Sequence, residues 1–393
     1  MQTSFYFSGR LSNFFSPHRI MLSVGASKMV GGEARALRGE KAVIVTDAGM
    51  MKTGMVEGIK ESLTAEGIGV VVYDKVELET PARVIDDGAR FARSEKCDIV
   101  VALGGGTTLD TAKGVSLMAV NSGSVLDYEG MDRAPLKGLP KIMIPTTAGS
   151  GSEVTRVFAI TDETAGTKKV VYTTYNLADL VILDPLLTLS LPRLLTAETG
   201  LDVLAHAVEA YTSLNGTPFS DMLALEAIRL VGKSLLAAYA KGENIEARYD
   251  MLLAASTAGL AWASGGLGAV HALSFVLETQ HGMGHARAVS VMLPHVMDYN
   301  RIAATGKFAS VALALGEETY GLSAYEGALT AVAAVNRILA EVNISSRLGD
   351  YGISKSDIPE MVASTLKQSR LFAPNARSIT EEDIADIYMK GLE

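Results

Sequence analysis

At 393 residues the chain exceeds what one ordinary core holds, and its composition, 48% hydrophobic and 20% charged with no low-complexity tract, excludes disordered and fibrous classes. The balance of 35 Lys and Arg against 44 Asp and Glu gives a net charge of -9 without a dense basic run, which argues against a nucleic-acid partner. The N-terminal MQTSFYFSGR lacks a basic region followed by an apolar stretch, no segment offers about 18 uninterrupted apolar residues, and the lone Cys97 reads as a core residue, so a cytoplasmic location without membrane insertion is expected.

In chain order, short apolar runs of strand length come first: AVIVTD (42–47), GVVVYD (69–74), DIVVALG (98–104), KIMIPTT (141–147) and LVILD (180–184). Stretches such as ETPARVIDDGARFARSEK (79–96) lie between the early runs, with apolar residues three and four apart and Pro81 near the start, which predicts helices. Strand and helix in alternation imply a parallel sheet with crossover helices. After Pro192 the strand signals stop, and TAETGLDVLAHAVEAYTSL, DMLALEAIRLVGKSLLAAYA and YDMLLAASTAGLAWA all read as helices. The expected organisation is an α/β nucleotide-binding domain over 1–192 and an all-helical domain over 193–393, meeting at a cleft.

Two small-residue loops follow strands. Gly104-Gly105-Gly106-Thr107-Thr108-Leu109-Asp110 opens a helix, where backbone N–H groups and the helix N-terminus converge as phosphate binding requires. It matches neither GxGxxG nor a Walker loop, and a tight strand-to-helix connection is the plainer alternative. Thr146-Thr147-Ala148-Gly149-Ser150-Gly151-Ser152 is the second. Asp47 ends the first strong strand, where a carboxylate accepts from both ribose hydroxyls and repels a 2′-phosphate, favouring NAD over NADP; its alternative role is to cap the next turn. Acid before glycine loop is the wrong order for a standard Rossmann unit.

Asp202 and His206 are four apart in a helical stretch and share one face. Four of the six histidines, His271, His281, His285 and His295, fall within 25 residues. In an unbroken helix His271 and His285 would lie about 21 Å apart, too far for one ion. Joint ligation therefore requires the chain to turn back at Gly282–Gly284, and those glycines weaken the rival pairing of His281 with His285 on one helix. Asp and imidazole donors suit Fe(II) or Zn(II).

The blocks GGGTTLDTAK, PTTAGSGSE, TGLDVLAHAVEAY and VHAL…GHARAVSVMLPHVMDYN resemble, in order and spacing, the iron-containing (group III) alcohol dehydrogenase family over essentially the whole chain. The resemblance implies a dehydroquinate synthase-like fold and metal ligation by Asp202, His206, His271 and His285, with Fe(II) ahead of Zn(II). It implies that Asp47 contacts the adenosine ribose of NAD, that Gly105, Gly106, Thr107 and Asp110 surround the pyrophosphate, and that Thr146, Thr147, Lys168 and Leu187 lie elsewhere along the cofactor. It also implies hydride transfer between the nicotinamide and a small alcohol or aldehyde, in an assembly of at least two copies. Where many family members carry a further histidine this chain has Phe275, assigned to the substrate pocket, so His281 becomes the candidate for proton transfer beside cofactor ribose and water. A lyase of the dehydroquinate synthase type would require a Glu ligand and more basic residues than 262–300 offers; a non-catalytic metal-stabilised helical protein is the third reading.

Overall fold

The computed structural model describes residues 12–393, so MQTSFYFSGR lies outside the described residues. The chain divides into two compact units, Phe15–Ser190 and a second that contains Leu191–Glu393.

In the first unit the elements run β1 (Ile20–Leu22), α1 (Val30–Ala36), β2 (Lys41–Val45), α2 (Met55–Ala65), β3 (Gly69–Tyr73), α3 (Ala82–Ser94), β4 (Ile99–Gly104), α4 (Gly106–Met118), β5 (Gly130–Met131), β6 (Lys141–Pro145), β7 (Val157–Asp162), β8 (Thr167–Tyr172) and β9 (Leu180–Leu183). Six strands form a wholly parallel sheet in the order β1-β9-β6-β4-β2-β3. The central β4 and β6 are buried throughout, which is why IVVALG and KIMIP lack polar alternation. Ile44, Val101, Ile142 and Ile182 join Val56, Ile59 and Leu63 of α2 in one core; Ile85 of α3 and Leu117 of α4 join Phe158, Ile160 and Val171 in another.

Strand order reverses between β2 and β4: the chain leaves β2 for β3 on one side and returns to β4 on the other. Such a switch point opens a crevice at the carboxyl ends of the strands, where ligands of open α/β sheets bind. Asp47 follows β2 and the Gly104–Gly106 loop follows β4, so the acid preceding the glycines in sequence is their neighbour in space. The sequence reading missed β1 and a small sheet, β5-β8-β7, in which β7 pairs antiparallel with β8.

Among the described residues the second unit carries helices and turns without strands: α5 (Arg193–Thr212), α6 (Pro218–Ala240), α7 (Ile245–Gly265), α8 (Ala269–His281), α9 (His285–Asn300), α10 (Thr305–Ala314), α11 (Ala324–Glu341), α12 (Ile358–Thr365) and α13 (Glu381–Leu392). Helix α5 is buried around almost its whole circumference, as a helix at the centre of a bundle must be. Capping boxes start α6 (Thr217, Ser220), α11 (Ser323, Glu326) and α13 (Thr380, Asp383). Helix α8 ends at His281 with Gly282 left-handed at φ 64°, and α9 begins at His285, giving the reversal that the 14-residue spacing demands. No single helix among the described residues is long and apolar enough to cross a membrane.

Candidate metal centre and nucleotide loops

Helix α5 presents Asp202, His206 and Glu209 at intervals of four and three, hence on one face. His271 comes from the first turn of α8 and His285 from the first residue of α9. The Asp202 Oδ1 lies 3.7 Å from His206 Nε2, 3.8 Å from His271 Nε2 and 3.8 Å from His285 Nε2. Donor atoms of Asp202, His271 and His285 all fall within 4.8 Å of one another. Asp202, His206 and His271 are buried, whereas the His285 side chain is 45% exposed.

These separations are too long for hydrogen bonds. Asp202 Oδ1 and His271 Nε2 are buried without a hydrogen-bond partner, a costly state unless a cation satisfies both. Protonation patterns agree. Glu209 Oε2 lies 2.6 Å from His271 Nδ1, and Glu278 Oε1 lies 2.7 Å from His285 Nδ1. A carboxylate only accepts, so each Nδ1 donates, and each Nε2 is the ring atom turned toward the Asp202 oxygen. Burial pushes the His206 imidazole down to about 4, against the pull of Asp202, which keeps it neutral as a ligand must be. Its ring stacks on His271 at 4.8 Å between centroids and on Trp262 at 5.7 Å. The donor set, one carboxylate oxygen and three imidazoles, fits a divalent iron or zinc ion.

Sequence reasoning missed Glu209 and Glu278, because acidic residues within helices read as solvated. A signal existed: Glu209 lies three residues after His206, and Glu278 lies seven after His271 and seven before His285. Glu198, on α5 as well, binds Arg287 of α9 at 2.6 Å. Phe275 lies one helical turn beyond His271. His281, the last residue of α8, has a buried Nε2 without a hydrogen-bond partner and adds to the stabilisation that the Ser354 hydroxyl and backbone give the Asp357 carboxylate, which is held below its usual range.

In the other unit, Asp47 Oδ1 accepts from Gly49 N at 2.8 Å and Met50 N at 3.0 Å, capping the turn, while Oδ2 faces Thr108 Oγ1 at 3.5 Å. Gly105 caps α4 without a side-chain hydrogen bond, and Gly106 and Thr107 form its first turn, leaving backbone N–H groups at the loop. A Cβ on Gly106 would sit 2.7 Å from Ser150 Oγ, so the two small-residue loops pack directly on each other. Thr147 borders Gly105, and Thr146 Oγ1 lies 3.7 Å from Met50 Sδ. Asp110 is engaged within the protein, accepting from the Ser152 hydroxyl and, at 3.0 Å, from Ala159 N. Lys168, on β8, pairs with Glu79 at 2.7 Å, and Leu187, in the turn Pro185–Thr188, packs on the sheet core.

Two family models match: "Iron-containing alcohol dehydrogenase" over residues 17–185 and "Fe-containing alcohol dehydrogenase family, C-terminal" over 196–392. The chain is 41% identical over 367 residues to long-chain-alcohol dehydrogenase 1 of Geobacillus thermodenitrificans, covering 93% of this chain and 92% of that one. It is 39% identical to the 1,3-propanediol dehydrogenase of Citrobacter freundii, covering 96% of each. A solved 1,3-propanediol oxidoreductase superposes with a TM-score of 0.95 at 37% identity over 97% of this chain and 100% of the other; the alcohol dehydrogenase from Oenococcus oeni gives 0.94 at 33% over the same shares.

Proposed function

Because the chain belongs to the iron-containing alcohol dehydrogenase family and interconverts alcohols and aldehydes with NAD(H), we propose that Asp202, His206, His271 and His285 hold one Fe(II) ion, Zn(II) being the alternative. We assign NAD binding to residues 1–192 and the metal and substrate to 193–393. The supporting observation is that buried Asp202 Oδ1 and His271 Nε2 face each other at 3.8 Å with no hydrogen-bond partner.

When bound, the cation supplies Lewis acidity to the substrate oxygen and the nicotinamide accepts or supplies the hydride. Asp202 would offset part of the cation's charge in a buried setting, and the imidazoles of His206, His271 and His285 would complete its hold. Glu209 and Glu278 hold the Nδ1 atoms of His271 and His285, so that Nε2 of each ring is the atom turned toward Asp202. Asp47 is assigned to the adenosine ribose through Oδ2, its Oδ1 being taken by the turn; Gly105, Gly106 and Thr107 offer backbone N–H groups to the pyrophosphate, with Asp110, Thr146, Thr147, Lys168 and Leu187 around the cofactor. Phe275 carries no exchangeable proton and is assigned to the substrate pocket; proton transfer is assigned to His281. The lone buried Cys97 suits the reducing cytoplasm, and we assign an assembly of at least two copies.

Elemental analysis of anaerobically purified protein, combined with NADH formation from alcohols of graded length and charge, tests this. Iron near one equivalent and sustained NADH formation are expected; zinc instead of iron would replace the metal assignment. NAD used without net turnover would point to the lyase reading. His281→Gln is expected to lower kcat about 10²-fold with metal content unchanged; an unaltered kcat would remove His281 from the proton step.

A further inference from the structure

We propose that Glu209 is a positioning residue of the metal centre, a single carboxylate that sets the tautomer of His271 with one oxygen and anchors the first turn of α8 to α5 with the other. The inference rests on the assignment of His271 as a metal ligand. Glu209 is buried at 4% side-chain exposure. Its Oε2 accepts a hydrogen bond from His271 Nδ1 at 2.6 Å, and its Oε1 accepts from Val270 N, also at 2.6 Å. Val270 is the second residue of α8, where the first four backbone N–H groups have no acceptor within the helix. The N-cap residue, Gly268, has no side chain to fill that role, so acceptors arrive from elsewhere: Glu209 for Val270 N, and Asn375 Oδ1 for Ala269 N at 3.3 Å.

Gly268 permits this approach. A Cβ there would stand 3.0 Å from Asn375 Oδ1 and 3.1 Å from Glu209 Oε1, tighter than side-chain contacts ordinarily run. Asn375 is fixed in turn by reciprocal 2.9 Å bonds with Asn300. The three imidazoles are therefore held differently. His206 Nδ1 is buried without a partner and its ring is fixed by stacking. His285 leans on Glu278 at the exposed side. For His271 the group that aims the ligand is the same group that docks the helix carrying it, so the aim of Nε2 and the seating of α8 are one event.

Co(II) serves as the probe. Metal-free wild type, Glu209→Gln and Gly268→Ala are titrated with Co(II), reading the visible d–d band and the dissociation constant by competition with a chelator, while thermal unfolding of the metal-free forms is followed alongside. The Gln amide oxygen still accepts from Val270 N, but no carboxylate then faces His271 Nδ1. Glu209→Gln is expected to raise the Co(II) dissociation constant 10- to 100-fold and shift the d–d band, with the metal-free unfolding midpoint little changed. Gly268→Ala, with Glu209 retained but crowded, is expected to weaken Co(II) binding by a smaller factor and keeps the test decisive if Glu209→Gln does not fold. A dissociation constant within twofold of wild type in the folded variants overturns the positioning role while leaving the metal assignment intact. Failure of wild type itself to bind one Co(II) overturns the metal assignment and this inference with it.

Discussion

The α/β core and the candidate metal centre treat buried charge in opposite ways. In the α/β unit the buried cations are built in: Lys113 Nζ, fully enclosed, donates to Ser152 Oγ at 2.8 Å, Thr155 Oγ1 at 3.0 Å and the Val157 carbonyl at 2.8 Å, and Lys141 Nζ donates to the Tyr175 carbonyl at 2.8 Å. At the candidate metal centre the acceptors are buried and no side-chain cation answers them: Asp202 Oδ1 and His271 Nε2 have no hydrogen-bond partner, although elsewhere in the helical unit the buried Arg248 brings its own charge to Thr196 Oγ1 and the Gly242 carbonyl. A lysine brings its charge on a flexible stem and closes a network during folding. A cluster of acceptors remains costly until an ion from solution fills it. Under the proposed assignments the first arrangement serves a loop whose ligand is met by backbone N–H groups, the second a site whose chemistry requires a Lewis acid.

Removing the metal should break this contrast most visibly. Chelation is expected to abolish alcohol oxidation by about 10³-fold or more and to lower the thermal midpoint, while NADH binding, followed by fluorescence, survives; restoring Fe(II) should restore activity. Loss of NADH binding together with the metal would show that the α/β unit is not self-sufficient. A smaller effect is expected where the built-in cation is deleted. Lys113→Met strips the donor from Ser152, Thr155 and Val157, and should cost about 2–3 kcal/mol in denaturant unfolding. Because Ser152 closes the second small-residue loop, KM for NAD should rise several-fold with the Co(II) dissociation constant unchanged; a change in metal affinity instead would contradict the separation of roles.

The same contrast explains what was legible in the sequence. The candidate ligands stand out because Asp and His types recur at a four-residue interval on a helix with a histidine cluster downstream, and the 14-residue gap located the turn at Gly282. The doubly buried strands were legible because burial on both faces removes alternation. Strands β7 and β8 were not, since their mixed burial and the Lys168–Lys169 pair break any apolar run, and three-residue β1 is shorter than a periodicity can register. Asp110 reads equally well as a phosphate-loop residue or an internal acceptor; only the position of Ser152, 42 residues on, reveals its bond there. The positions of Glu209 and Glu278 were visible but their roles were not, because what distinguishes them from solvated helix acids is the packing of α5, α8 and α9.

The last effect probes the built-in cations through pH. Burial pushes the Lys141 ammonium down from 10.5 to about 8, with Asp179 pulling the other way. In the unfolded chain the lysine keeps its proton to about 10.4, so between roughly pH 8 and 10.5 the unfolded state binds more protons than the folded one and this group's contribution to stability rises with pH. Below pH 8 both states are protonated and the folded state carries the full cost of the buried charge; the relief across the window is at most about 3 kcal/mol. Lys141→Met removes the titrating group, so the difference in unfolding free energy between mutant and wild type should drift by that amount from pH 8 to 10.5, to the relative advantage of wild type. The measurement is made by urea unfolding at each pH with the metal in place. A flat difference would mean that the Tyr175 carbonyl and its neighbours compensate the ammonium fully, making the α/β unit's cations as well solvated inside the protein as in water.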